Sequence, residues 1–242
     1  MIIAVTAFVP IPGHPRAEAE YHRLAKPLQD LAGEAPLLLR IAKLEECWLH
    51  KMITSAYEHP SDVTHSVSDN PKKNSLAYHV VQAQKTEFLV QAAEACGMQP
   101  DVYVWIDYGI FHVPGVTAKI IKEFLARADG ERTITIPGCW GPDYVYDDEH
   151  PCWRFCGGVM VVPREHLIAF DEAMKKAYAR QLYHHDHVSW EVNALARVER
   201  NEPDLPIWWY QADHDASMFT NYRATKHADG RDHMLHRFEA RF

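Results

Sequence analysis

The chain has 242 residues, 47% hydrophobic and 24% charged, enough for one large α/β domain over residues 1–242 and short for two independent ones. Its net charge of −8 argues against a general nucleic-acid coat or an anionic-membrane binder, while a local basic patch for a phosphate stays compatible with it. No apolar run approaches the roughly twenty residues needed for a transmembrane segment, and five cysteines without a scaffold spacing suit a reducing cytoplasm.

Residues 2–9 read as a first, central strand rather than a signal peptide, since they lack a basic start and run into Pro10 and Pro12. The prolines and glycine of 11–16 make a loop. Tyr21, Leu24, Leu28 and Leu31 recur at helical spacing, with Pro27 predicting a kink or two shorter pieces and Gly33 a stop. Leu37 to Ile41 is a second strand candidate, and residues 55–74 are a polar, turn-rich excursion. A long helix is predicted from about Ser75 to Cys96 with Asn74 as N-cap; its inward stripe is Val81, Phe88, Leu89, Ala92 and Cys96. Lys85 falls on that stripe, either snorkelling to the rim of the core or aiming an ammonium at a phosphate or carboxylate in a cleft.

Val102 to Ile106 is an almost unbroken β-branched and aromatic run, the mark of a strand buried on both faces. It ends at Asp107, followed by Tyr108 and Gly109, where the carboxyl end of a strand in an open α/β sheet would meet a ligand. A helix capped by Thr117 follows, then a strand at Thr133–Ile136 and a loop from Pro137 to Cys152 rich in Gly, Pro, Asp and Tyr. Gly157 and Gly158 feed the next strand and permit a close approach of backbone to a ligand, or a bulge. A helix carrying Leu167, Phe170, Met174 and Tyr178 packs after it. The persistent alternation predicts a layered α/β fold with a mostly parallel central sheet and helices on both faces; residues of about 223–242 read as a basic, histidine-rich terminal arm or closing helix.

Three constellations could carry chemistry. His184 to Asn193 reads as a helix from about His187, capped by Asp186 or Ser189, with Glu191 on the inward stripe beside Val188, Val192 and Leu195. An inward glutamate is costly unless paired or used, which makes Glu191 a candidate general base or the partner of an arginine such as Arg154 or Arg197. An aromatic strand from Trp208 ends in Asp213-His214-Asp215, a set suited to Mn²⁺ more than Mg²⁺. Cys139, His150, Cys152 and Cys156 could suggest zinc, but no Cys-x-x-Cys pair is present and the spacing fits no standard finger. A Gly-x-Gly-x-x-Gly, a P-loop and a nucleophile elbow are all missing.

On Val5-Thr-Ala-Phe8, Gln84-Lys85, Phe88-Leu89, Val104 to Phe111, Gly157-Gly158, Ser189 to Glu191, Asp213 to Asp215 and Asn221-Tyr222, the chain resembles the GT-A-type nucleotide-diphospho-sugar transferases, in particular the HtrL/YibB-like group of glycosyltransferases. The resemblance implies a single GT-A-like domain, a UDP- or GDP-linked sugar donor, a glycan or other hydroxyl acceptor, and a divalent ion held by Asp107 with His214 as a late ligand. Trp105 stands where the family's first acid would be. It further implies Lys85 against the donor diphosphate and Glu191 as the base of an inverting transfer; Tyr108, Trp140, Trp153 and Trp190 offer apolar faces to sugar or base. Two other readings stand beside this one: a metal-dependent hydrolase or phosphoesterase using His184, His185, Asp186, His187, Asp107 and His214, and a nucleotide- or glycan-binding module without catalysis.

Overall fold

A computed structural model describes residues 1–14, 16–31, 37–97, 99–144 and 146–223. Strand β1 (Ile2–Phe8) leads through α1 (Glu18–Leu31) to β2 (Leu37–Ile41), α2 (Trp48–Ala56) and the short β3 (Thr64–His65). Helices α3 (Leu76–Ala83) and α4 (Lys85–Ala95) precede β4 (Val102–Ile106), α5 (Ala118–Ala128), β5 (Ile134–Gly138) and β6 (Val159–Pro163). The chain continues through α6 (Arg164–His185), the short β7 (His187–Val188), α7 (Glu191–Asn201), β8 (Ile207–Gln211) and α8 (Ser217–Thr220).

Six strands form one sheet in the order β2-β1-β4-β6-β5-β8, and the two-residue β3 and β7 pair in parallel beside it. Only β6 runs against its neighbours, so the sheet is mostly parallel, as the alternation of elements predicts. All of β4 is buried. Tyr103 and Trp105 join the core against α4, α6 and α7; Val102, Val104 and Ile106 join the one beneath α1, α5 and α8. A strand walled by helices on both faces must be apolar throughout, which is why Val102–Ile106 shows no alternation. The topology sets the place for a ligand. From β1 the chain crosses to β2 on one side and later returns to β4 on the other, so the carboxyl ends of β1 and β4 flank the switch point where open α/β sheets bind ligands.

Three local expectations need correction. The long helix is two helices broken at Gln84, and its N-cap is Ser75, whose hydroxyl accepts from the Tyr78 amide at 3.2 Å. Trp48 causes the break: its indole takes the Ala83 carbonyl at 3.2 Å, and its amide donates to the buried Gln84 side chain at 2.8 Å. Likewise no helix starts at His187. Helix α6 runs to His185 and closes on Asp186 in the left-handed region (φ 48°), residues 187–188 form β7, and α7 begins at Glu191. Pro27 lies inside a single α1 rather than between two pieces. The stop at Gly33 and residues 224–242 of the terminal arm lie outside the described residues.

Candidate active site

The break at Gln84 makes Lys85 the first residue of α4, and its side chain, only 5% exposed, turns under the sheet's carboxyl edge. Its ammonium meets Asp107 Oδ1 at 2.9 Å, the Gly157 carbonyl at 2.9 Å and Glu191 Oε1. Burial alone would push Lys85 down; the carboxylates of Asp107 and Glu191 outweigh it, and its pKa stands above the ordinary lysine value. Glu191 is pushed up by burial, with Lys85 pulling against that and Asp107 adding to it. The expected arginine partners are engaged elsewhere: Arg154 with Glu199, Arg197 with Asp148.

Trp105 brings a donor to Asp107. Its indole N–H reaches Asp107 Oδ1 at 2.7 Å, and its ring stacks on Phe88 at 6.0 Å. Gly157 is required by Glu191, because a Cβ there would fall on the glutamate carboxylate. Gly158 accepts from the Asp107 amide at 3.0 Å and packs near Ile110 and Met218. Gly109 borders the cleft near Tyr21 and Arg16. Tyr108 is buried against Phe8, its hydroxyl 2.7 Å from His22 Nδ1.

Above the triad opens a cleft of about 350 Å³, walled by the ends of β1 and β4, the loop before α1, the 70–73 segment, α3 and α4. Arg16, Lys72 and Lys73 bring positive charge to it and Glu18 and Glu20 negative charge, Arg16 pairing with Glu20 at 3.6 Å, with Tyr21 and Tyr78 as aromatic walls. The Lys73 amide donates to the Asn70 carbonyl at 3.0 Å, while its ammonium makes neither a hydrogen bond nor an ion pair among the described residues. Burial pushes it below the ordinary lysine value, and Asp107 and Glu191 oppose that push. Glu191 is not among the residues that line the cleft, whereas Asp107 is, with its side chain 31% exposed.

His214 has other neighbours. Its Nδ1 is 3.7 Å from Cys139 Sγ and its ring meets Trp153 at 4.5 Å, while neither hydrogen bond nor ion pair joins it to Asp107 among the described residues. A divalent ion shared by Asp107 and His214 does not fit this arrangement. Asp107 Oδ1 already accepts from an ammonium and an indole, and the cation facing both carboxylates is Lys85. The hydrolase set is scattered too. Asp186 binds the Tyr57 hydroxyl at 2.7 Å and His187 meets Thr64 and Ser66 at 2.9 and 3.2 Å.

No family model matches the chain, and no curated protein does. Among solved structures it is similar to a glycosyltransferase involved in the glycosylation of the major capsid of PBCV-1, at 12% identity over 88% of this chain and 81% of that one, with a TM-score of 0.46. It is also similar to 4-diphosphocytidyl-2C-methyl-D-erythritol synthase from Anaerococcus prevotii, at 12% identity over 100% and 98% of the two chains, with a TM-score of 0.38. No helix among the described residues is long and apolar enough to cross a membrane.

Sequence reasoning brought Lys85, Asp107, Glu191 and Gly157 into view separately, and the structure joins them in one cluster. It missed Arg16, Lys72, Lys73 and Tyr78. The only available signal was two consecutive lysines in a polar excursion, and such pairs are ordinarily solvated.

Proposed function

We propose that the chain is a nucleotide-sugar-dependent glycosyltransferase that passes a sugar from a UDP- or GDP-linked donor to a hydroxyl of a glycan or similar acceptor. The carrying observation is Lys73: a half-buried ammonium without an ion-pair partner among the described residues, at the switch-point cleft and near a triad in which one ammonium faces two carboxylates. An unpaired cation held partly out of water favours an anionic ligand, and Arg16 and Lys72 on the same walls suit a diphosphate. As the glycosidic bond to the diphosphate breaks, charge grows on the leaving oxygen, where fixed ammonium and guanidinium groups stabilise it. Tyr21 and Tyr78 give the base or sugar an apolar wall.

Asp107 is the acid of the triad that borders the cleft, which suits it to accept a sugar hydroxyl's hydrogen bond. Glu191, engaged by Lys85 and sealed against Gly157, is better suited to holding the lysine, and through it Asp107, than to drawing a proton from an acceptor. The sealed Glu191 also favours the non-catalytic binding module as second reading. Thermal stabilisation by UDP- and GDP-sugars, with and without Mn²⁺, tests donor binding and separates a protein-borne from a metal-borne cradle. Donor hydrolysis or transfer then separates enzyme from module. The reading fails if no nucleotide diphosphate stabilises the protein.

A further inference from the structure

Cys139 follows the last residue of β5, Cys156 closes the excursion that begins there, and His214 lies three residues beyond β8. Gly138 lets these strand ends come together: a Cβ on it would fall on the Arg154 carbonyl, and the Cys156 amide donates to the Pro137 carbonyl at 2.7 Å. The two thiol sulfurs end 3.4 Å apart, Cys139 Sγ lies 3.7 Å from His214 Nδ1, and one ligand atom from each of the three residues falls within 4.8 Å of the others. Tetrahedral zinc with bonds of about 2.3 Å to sulfur and 2.0–2.1 Å to nitrogen spaces two sulfurs about 3.8 Å apart, and a sulfur and a nitrogen about 3.6 Å. The observed separations lie within a few tenths of an ångström of both. Asp213 Oδ1 lies 3.8 Å from Cys139 Sγ and accepts from the His214 amide at 2.7 Å.

We propose that Cys139, Cys156 and His214 form a zinc-binding site that clamps the ends of β5, β6 and β8 together, with water or Asp213 at the fourth position. Two thiolates and a neutral imidazole balance the dication's charge and select Zn²⁺ over harder ions, and binding releases the two thiol protons to solvent. The ligand set shares no residue with the Lys85 triad or with the lining of the cleft, so it is tested separately from the transferase reading.

The test uses the full chain, purified without chelator, then reduced and stripped. Metal analysis of the untreated protein should find about one zinc per chain. Titrating the stripped protein with Co²⁺ should produce thiolate charge-transfer and tetrahedral d–d bands, saturating at one equivalent and abolished by Zn²⁺. Cys139→Ser and His214→Ala should each weaken Zn²⁺ binding by more than the roughly 10–100-fold typical of an outer-shell change. These two half-exposed or exposed positions carry the test if the buried Cys156→Ser fails to fold. The proposal is overturned by the absence of thiolate–cobalt bands in reduced protein, by unchanged bands in both variants, or by a Cys139–Cys156 disulfide in protein isolated without reductant.

Discussion

Lys85 has three N–H donors, and Gly157, Asp107 and Glu191 use them all. Its removal leaves two carboxylates facing one another, one of them buried without a counter-charge. Lys85→Met should therefore destabilise the fold by about 3–5 kcal/mol, read as a shift in the urea midpoint at unchanged slope. Adding Glu191→Gln should recover part of that loss, because it removes the uncompensated charge; strictly additive effects would show that the two side chains do not interact. Gly157→Ala probes the same contact from the backbone side. The new methyl would displace the Glu191 carboxylate, and we expect a loss of about 1–3 kcal/mol together with weaker donor binding. A variant with full stability would mean that Glu191 has room to move away. Catalytic rate separates its two roles: Glu191→Gln lowers transfer with donor affinity retained if it is the base, and alters both if it positions Lys85.

Among the elements, α3 shows how a polar side chain ties a surface excursion to the core. His79 is 1% exposed, its ring nitrogens 3.1 Å from the Ser75 carbonyl and 3.0 Å from the Ser66 carbonyl just beyond β3. Burial pushes its pKa down to about 4, the nearby His65 adds to the depression, and the two carbonyls oppose it without prevailing. A base whose folded value lies below its unfolded one contributes stability above the unfolded value of about 6.5, and that stability is lost as pH falls toward about 4, up to about 3 kcal/mol. Urea midpoints measured from pH 7 downward should fall across that window, and His79→Gln should flatten the decline. His187 is also pushed down by burial, and Asp101, Asp147 and Asp215 are held below the ordinary carboxylate value by hydrogen bonds, so the variant keeps a residual slope from these groups. The elements themselves were legible wherever one physical cause dominated: two-sided burial marked β4, and the Thr117 hydroxyl does cap α5, accepting from the Ile120 amide at 3.3 Å. The break between α3 and α4 was not legible, because its cause is Trp48, distant in sequence and brought alongside only by the fold. The same holds for β7, a two-residue pairing with β3 that no local periodicity marks.

For the molecule as a whole, the cleft's charge opposes that of the chain. A net charge of −8 repels anions at long range, so if the chain binds a nucleotide-sugar donor as proposed, its affinity must arise at short range from Arg16, Lys72 and Lys73, against Glu18 and Glu20 on the same cleft. Strand-end chemistry followed by a switch point was readable from the sequence because β4 is a continuous apolar run that ends in an acid. The cationic wall was not, since it comes from a polar excursion that acquires meaning only when it folds over the ends of β1 and β4. The cysteines show the same limit: Cys139 and Cys156 stand out in the chain, but their third partner, His214, comes from another strand end. If the cleft's cations hold a diphosphate, UDP binding must weaken with salt. From about 0.1 M to about 1 M the screening length falls from about 10 Å to about 3 Å, and we expect the Kd to rise by about tenfold or more. In Lys73→Ala the low-salt affinity should fall by a similar factor and the salt dependence should flatten, because one of the screened charges is gone. Calorimetric titration of both proteins across that range decides the matter: a Kd indifferent to salt in the wild type would mean that the nucleotide is held by its base and ribose rather than by its phosphates.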